Sequence, residues 1–327
     1  MNRRIITIIL ALAAVCGGAN AQRKQSGARA NGSHIIVLGR KVIDTANLRI
    51  KYAWGATDIT HDSTYLDCGQ LLIGQHMTKY SSWFVEVADS QRVEWARKNP
   101  HAQSVPNGTW WMRGKVPGIW SEYQYSNIFI HGDTLNEWSV MPMGQEWPQR
   151  YEEKWSGQEW KLSLTPNPSP VGEGNFKSEG DEDSSADNQT SLPHGGGAGG
   201  EAVILGHPCQ KATCRWRGRD YVAWFAPDIP IRRGPWKFGG LPGLIMKIHD
   251  VDSLYVFEAV AIEKGNFPIY QYPKEEFMKS TRTHTWKLQI AYNRNYLKTA
   301  GIRSFNEDGT IGDLKSSPHE YDPMELE

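Results

Sequence analysis

The sequence is poor in the residues that announce a chemistry. It has four cysteines in 327 residues. No second close pair accompanies Cys209 and Cys214, so the spacing of a zinc site is missing and no metal is expected. There is no Gly-x-Ser-x-Gly and no His-Glu-x-x-His, which removes the hydrolases that use those spacings. Acids are plentiful, but none are spaced to single out the opposed carboxylates of a glycosidase. No catalytic residue and no cofactor is therefore assigned. An excess of one charge is lacking too, with 36 basic against 36 acidic residues. That balance predicts no general affinity for nucleic acid or an anionic membrane.

Long apolar runs are also scarce. The only one, Ile5 to Val15, is too short to span a bilayer as a stable helix, so the protein is expected not to be transmembrane. Arg3 and Arg4 precede it, and Ala19-Asn20-Ala21 follows with small residues for a leader peptidase. Residues 1–21 read as a signal peptide, and the mature protein is expected to be exported: periplasmic, cell-surface-associated or extracellular. Val15 is too large for the position before a lipidated cysteine, so Cys16 is not expected to be an anchor. Removing Arg3 and Arg4 leaves 34 bases against 36 acids, a net of −2.

Three cysteines then remain, Cys68, Cys209 and Cys214, in a compartment that permits disulfides. An odd number leaves at least one outside an intrachain bond. On one straight strand Cys209 and Cys214 would lie about 17 Å apart, too far to bond. They can join only if Pro208 to Lys211 bends, and Cys68 with one of them is the competing pairing. The sequence leaves the choice open.

Composition divides the rest. Residues 22–33 are rich in Gln, Lys and Gly and read as a disordered N-terminal segment. Residues 165–200 open Thr-Pro-Asn-Pro-Ser-Pro and end in a glycine run, with six acids and one lysine, a net of −5. So polar a stretch cannot offset its ordering entropy, so it reads as a disordered insertion in a single domain over 34–327. Elsewhere the pattern is mostly that of strands. Leu48, Ile50, Tyr52 and Trp54 alternate with polar or small residues, and Ser63 to Lys79 suggests a strand or hairpin with Gly74 at a bulge. Trp120–Ile130 and Thr134–Met141 read as a hairpin across His131-Gly-Asp133. So do Lys211–Trp216 with Tyr221–Ala226 across Arg217 to Asp220, and Leu244–His249 with Leu254–Ile262 across Asp250 to Ser253. Ser82–Lys98 suits a helix with Phe84, Val87, Ala88, Gln91 and Trp95 on one face. Pro273 to about Ala300 suits another, weakened at Thr281 to Thr285. The fold class is mainly β (α+β): a strongly bent antiparallel sheet or open half-barrel with a few flanking helices.

What is present in force is aromatic and glycyl. There are 14 tryptophans and 32 glycines. The stretch Gly234-Pro-Trp-Lys-Phe-Gly-Gly-Leu-Pro-Gly-Leu-Ile245 sets four glycines and two prolines among large apolar residues. Linkers of that backbone composition are normally polar, so this one reads as a tightly packed turn region against a core. Gly239 to Gly243 lacks the lysine and hydroxyl that follow the glycines of a phosphate loop, and a sharp turn into the next strand is the better reading.

That stretch resembles, letter for letter, the motif of the GLPGLI family. Cys209-Gln-Lys-Ala-Thr213, Gly218 to Phe225, Asp228-Ile-Pro230 and Tyr321 to Glu327 carry the same likeness, which extends over nearly the whole mature length. The insertion departs from the pattern: Trp160-Lys-Leu and Ile204-Leu-Gly206 would otherwise be joined by a short turn. The resemblance implies an exported protein of Bacteroidetes and makes Gly234, Pro235, Gly240, Leu241, Pro242, Gly243, Leu244 and Ile245 a structural motif. It implies no biochemical activity. The chain is also similar to the bowl-shaped N-terminal domain attached to some bacterial peptide:N-glycanases, which is not their catalytic domain. That likeness implies a strongly bent sheet.

Arg232, Arg233, Trp236, Lys237 and Phe238 are the candidate ligand- or partner-binding residues, because cations mixed with aromatics bind sugars, anions or peptides. The competing reading packs Trp236 and Phe238 inward while the cations reach water. His249 beside Asp250 is a weaker acid–base candidate. Asp44-Thr-Ala, Asp62-Ser-Thr, Asp133-Thr-Leu and Asp252-Ser-Leu match a short O-glycosylation pattern of Bacteroidetes secreted proteins, with Thr134 the favoured site. The expected function is a non-enzymatic envelope binding or scaffold protein whose partner, an envelope protein, a glycan or a lipid, is unknown. A hydrolase with an unrecognised site and a half-barrel lipid carrier are the alternatives.

Overall fold

Alternating side chains of period two build one large sheet, seen in a computed structural model that describes residues 39–58, 63–101, 126–139, 148–163, 201–294, 304–305, 310–312 and 323–327. The signal-peptide, N-terminal and insertion readings, and Asp62, lie outside these residues. The strands are β1 (Lys41–Asp58), β2 (Ser63–Gly74), β3 (Thr78–Ser82), β4 (Ser126–His131), β5 (Thr134–Ser139), β6 (Gln149–Lys154), β7 (Lys161–Leu162), β8 (Glu201–Ile204), β9 (His207–Trp216), β10 (Arg219–Ala226), β11 (Leu244–Asp250), β12 (Tyr255–Gln271), β13 (Met278–Lys279), β14 (Ser304–Phe305) and β15 (Ile311–Gly312). Helix α1 is Trp83–Lys98 and helix α2 is Arg282–Arg294.

Thirteen strands form the main sheet in the order β13-β6-β5-β4-β3-β2-β1-β12-β11-β10-β9-β7, with β8 also on β9. All neighbours are antiparallel except β13 with β6. The mainly β, open antiparallel expectation is met. Short turns place β2 beside β3, β4 beside β5, β9 beside β10 and β11 beside β12, while helix α1 precedes β4, the Gly/Pro-rich block precedes β11, and β1 pairs with distant β12. The two-residue turn Arg217-Gly218 has positive φ at both positions, the mirror-image geometry that matches strand twist. It is tighter than the four-residue turn expected, since Arg219 and Asp220 already pair with Trp216 and Arg215. Gly74 is the last residue of β2 rather than a bulge. The irregularity lies on the partner strand, between Ala46 and Leu48.

The two faces carry separate cores. Ile50, Tyr52, Trp54, Leu71, Ile128, Leu135, Tyr221, Phe225, Ile248 and Phe257 line the inner face, together with Trp236, Phe238 and Leu241 of the Gly/Pro-rich block. Ala46, Leu72, Phe129, Trp138, Ile269 and Tyr272 form the outer core, against which Val93 of α1 packs. Ser82 caps α1 by accepting from Val85 N–H, a contact worth about 1 kcal/mol. Among the side chains of α1 whose burial is described, only Asp89 is buried, not the apolar face expected, and Ala88 lies outside them. Phe84, Val87, Gln91 and Trp95 are only half-buried.

The helix expected from Pro273 begins at Arg282. Lys274–Glu276 makes one 3-10 turn and Met278–Lys279 pairs with β6. The Thr281 hydroxyl then accepts from His284 N–H at 3.2 Å, starting the helix where the sequence had only weakened it.

Residues 164–200 enter and leave at neighbouring rungs of one ladder. Leu162 pairs with Ala212, Ser163 N–H donates to Lys211 O at 3.0 Å, and Glu201 pairs with Gln210. β7 and β8 are therefore two halves of a single edge strand, interrupted between Ser163 and Glu201, and not two strands joined by a turn.

Candidate functional site

The Gly/Pro-rich block folds across the inner face. Leu244 N–H donates to Ile229 O and Ile245 N–H to Arg233 O, both at 3.0 Å. Two glycines are required by contact. Gly240 has φ +93°, and a Cβ on Gly243 would lie 2.1 Å from Ala226 O. Side chains from the stretch after β6 fix the block's backbone. Trp155 Nε1 and Gln158 Nε2 donate to Lys237 O at 3.1 and 3.2 Å, and Trp160 Nε1 donates to Gly239 O at 2.8 Å. Trp236 sits at φ +52°, a conformation disfavoured for a side chain of that size. Its ring is wedged against Trp216 and Phe238, with centroids 5.7 and 5.4 Å away.

This packing scatters the five candidate binding residues. Trp236, Lys237 and Phe238 are buried, Arg232 is exposed, and Arg233 stacks on Trp155 at 4.1 Å. They do not form one surface. The aromatic pair packs inward as one reading had it, but Lys237 does not reach water: it is 2% exposed.

Lys237 instead centres a buried ion cluster. Its ammonium lies 2.8 Å from Glu137 Oε2 and 2.9 Å from Glu325 Oε1, and donates to the Tyr151 hydroxyl at 2.8 Å. Tyr151 and Ser126 also donate to Glu137. Arg217 grips Glu153 with both carboxylate oxygens at 2.8 Å and pairs with Glu325. Arg282 of α2 approaches Glu153 at 3.7 Å and Glu325 at 3.9 Å. Three cations (Lys237, Arg217, Arg282) face three acids (Glu137, Glu153, Glu325), so the cluster is neutral. A small cleft beside it is lined by Trp236, Arg282, Thr285, Trp286, Gln289 and Pro323.

Burial alone would raise the Glu137 carboxyl, but the Lys237 ammonium and three hydrogen bonds hold it below its ordinary value. Burial lowers Lys237, and the glutamates only partly restore it. Burial, then Glu137, pushes the Tyr151 hydroxyl well up. Glu137 is an ion and Tyr151 a neutral donor at physiological pH. Sequence reading missed Glu137, though a signal existed: it is in phase with buried Leu135 on a two-residue period.

The other candidates are placed as follows. Cys209 and Cys214 share the continuous strand β9, without the bend a bond would need. Both are buried in the inner core, but five residues apart along one extended strand they lie too far apart to bond. Cys68 is on β2, five strands away. All three are free thiols, so neither of the two possible pairings is formed. Burial pushes Cys209 up to about 11 and Cys214 up to about 12. His249 and Asp250 also part, by alternation. Asp250 turns inward to Arg219 at 3.0 Å, and His249 turns outward beside Trp224, centroids 5.4 Å apart. His207 Nδ1 lies 2.6 Å from Asp228, but the thiol two residues away, Cys209, is protonated and inert as a nucleophile. Thr45 and Ser253 of the short glycosylation pattern are exposed, and Thr134, the favoured site, is half-exposed. Among the described residues no metal-binding group of acids, histidines and thiols occurs, and no helix is long and apolar enough to cross a membrane.

An open, largely antiparallel β-sheet whose inner face is filled by its own Gly/Pro-rich block defines the class of protein. Residues 176–247 match the family described as "Protein of unknown function (Porph_ging)", which is the GLPGLI family of Bacteroidetes, in agreement with the sequence resemblance. The match begins within the acidic stretch and ends after the motif. No curated protein matches the chain. Among solved structures, PNGF-II is similar at 14% identity and a TM-score of 0.40, over 77% of this chain and 34% of that one. The LolA superfamily protein NE2245 from Nitrosomonas europaea is similar at 11% identity and a TM-score of 0.23, over 76% of this chain and 97% of that one. The chain thus spans about a third of the length of PNGF-II.

Proposed function

We propose that this chain is a non-enzymatic binding or scaffold protein of the bacterial envelope, reached by export. The observation that supports this most is the state of the Lys237 cluster. Every charge in it is matched, and burial leaves none of its groups placed as an exposed base or nucleophile. The inner face, which an open half-barrel would offer to a lipid, is occupied by Trp236, Phe238 and Leu241. The cleft beside the cluster is small and polar-lined. This disfavours the lipid-carrier alternative, and the protonated Cys209 beside the His207–Asp228 pair disfavours the hydrolase.

The test is native mass spectrometry of the protein purified gently from its own envelope, with a parallel screen for peptidase, esterase and glycosidase turnover. A stoichiometric protein, peptide or glycan adduct with no turnover supports the reading. Turnover abolished by His207→Ala would overturn it, and an extractable lipid at one per chain would restore the carrier.

A further inference from the structure

The segment Pro323–Glu327 is held by the rest of the chain as a receptor holds a peptide. Its backbone oxygens are taken by side-chain donors from β10 and α2. Arg219 Nη2 donates to Pro323 O at 2.8 Å, the Tyr221 hydroxyl to Met324 O at 2.5 Å, and Trp286 Nε1 to Glu325 O at 2.9 Å. Arg282 Nη1 donates to Glu327 O. In return, Leu326 N–H donates to Arg217 O at 2.9 Å. None of the five residues is in a strand or helix. Met324 is fully buried, Pro323 and Glu325 are buried, and Leu326 is 42% exposed.

The groove is complete without the segment. β10 supplies Arg219 and Tyr221, the β9–β10 turn Arg217, β5 and β6 Glu137, Tyr151 and Glu153, the Gly/Pro-rich block Lys237, and α2 Arg282 and Trp286. Its own charges do not balance: Arg219 is matched by Asp250, and the other three cations (Lys237, Arg217, Arg282) less two acids (Glu137, Glu153) leave +1. A buried unmatched charge is costly. The groove therefore selects one carboxylate, which Glu325 provides, next to one slender apolar side chain, which Met324 provides.

We propose that this groove is a binding site for an extended acidic peptide of the type Pro-Met-Glu-Leu-Glu, and that Pro323–Glu327 is its displaceable resident. The inference rests on the reading of the chain as a binding module and names its partner class. Side-chain capture of backbone carbonyls gives affinity, while the Met and Glu sites give selectivity. Because the recognising charges are largely out of water, binding depends on salt less steeply than a surface ion pair does.

The test uses the full chain and a fluorescent peptide matching Tyr321–Glu327. The double variant Met324→Ala, Glu325→Ala weakens the resident. It should bind the peptide 1:1, at least tenfold more tightly than the unaltered chain, whose own segment competes. A peptide carrying Glu325→Gln should bind at least tenfold more weakly. A variant that is folded by circular dichroism yet shows no saturable binding overturns the proposal and leaves a structural strap. The broader binding reading would then still stand or fall on the mass-spectrometric test. If the variant does not fold, hydrogen exchange of the unaltered chain decides. Leu326 N–H exchanging at least tenfold faster than the amides of β10 and β11 supports a displaceable segment, and equal rates overturn it.

Discussion

Two lysines are buried on opposite faces of the sheet and solved in different ways. Lys237, on the inner face, gathers partners from residues 137, 151 and 325, and the cluster extends to 153, 217 and 282. Lys79, on the outer face, pairs with Glu86 seven residues later and donates to Tyr270 O at 3.0 Å. Glu86 is shared with Arg40 at 3.4 Å. Beside them Asp89 accepts from the Tyr272 hydroxyl at 2.6 Å and meets Arg92 at 3.2 Å. The outer cluster has its lysine and acids close in sequence, on β3 and α1, and ties them to Tyr270 and Tyr272 at the end of β12. The inner one has both its acids and its cations far apart in the chain. The first needs one distant segment to close it, while the second needs several to meet at once.

Removing the lysines should sharpen that contrast most. Lys237→Met strands Glu137 near Tyr151, while Glu325 keeps Arg217, and a buried pair broken at one partner loses about 3–5 kcal/mol. Lys79→Met should lose distinctly less, because Glu86 keeps Arg40. Urea denaturation of both variants measures the gap, and equal losses would break the comparison. Next come the tyrosines. A hydrogen bond to a charged group contributes about 1.5–3 kcal/mol. Tyr272→Phe takes from Asp89 its only hydroxyl donor, whereas Tyr151→Phe leaves Glu137 with Ser126 and Lys237. The outer substitution should therefore cost more in the same assay, the reverse of the lysine order.

Acid should separate the clusters in sign. Glu137 is held below its ordinary value, so its contribution is present above the ordinary carboxylate range and lost as pH falls through the folded value. Burial, only partly offset by Tyr272, raises Asp89, so its charged form is unfavourable at neutral pH and acid relieves it. Hydrogen exchange at pH 7 and pH 4, corrected for intrinsic rates, should show β5, β6 and 323–327 losing protection while α1 does not. Parallel losses would refute the assignment. The smallest effect is expected from joining Ser163 directly to Glu201. Loop cost grows slowly with length, so deleting 164–200 should raise stability by only about 1–2 kcal/mol and leave both clusters' exchange unchanged. A protein that fails to fold would show that β7 and β8 are not one strand.

The sheet was legible because alternation is a local signal. Ile50, Tyr52 and Trp54 point inward as their spacing requires, and Gly132 and Gly218 turn the hairpins they sit in. The site was not legible, because its members are brought together only by tertiary packing. Nothing near Lys237 in the sequence says that Glu137 and Glu325 will meet it, and the usual behaviour of a lysine beside aromatics is to reach solvent. The α1 face was misread for a related reason. The sheet offers that helix Lys79 and Tyr272, and Glu86 and Asp89 answer them better than Phe84 or Trp95 would. The thiols were legible only as alternatives, and neither forms: the straight course of β9 keeps Cys209 from Cys214, and five strands separate Cys68 from both.

The Arg217-Gly218 turn has a kinetic meaning as well. Arg217 links Glu153, made much earlier in synthesis, to Glu325, made much later. Contacts of such separation form slowly, because long loops must close before they are rewarded. A chain emerging from the exit tunnel or from a membrane translocase can pair its hairpins in order, yet it holds an unmatched buried charge until residue 325 arrives. The turn therefore works as a clasp that shuts only once residue 325 is in place.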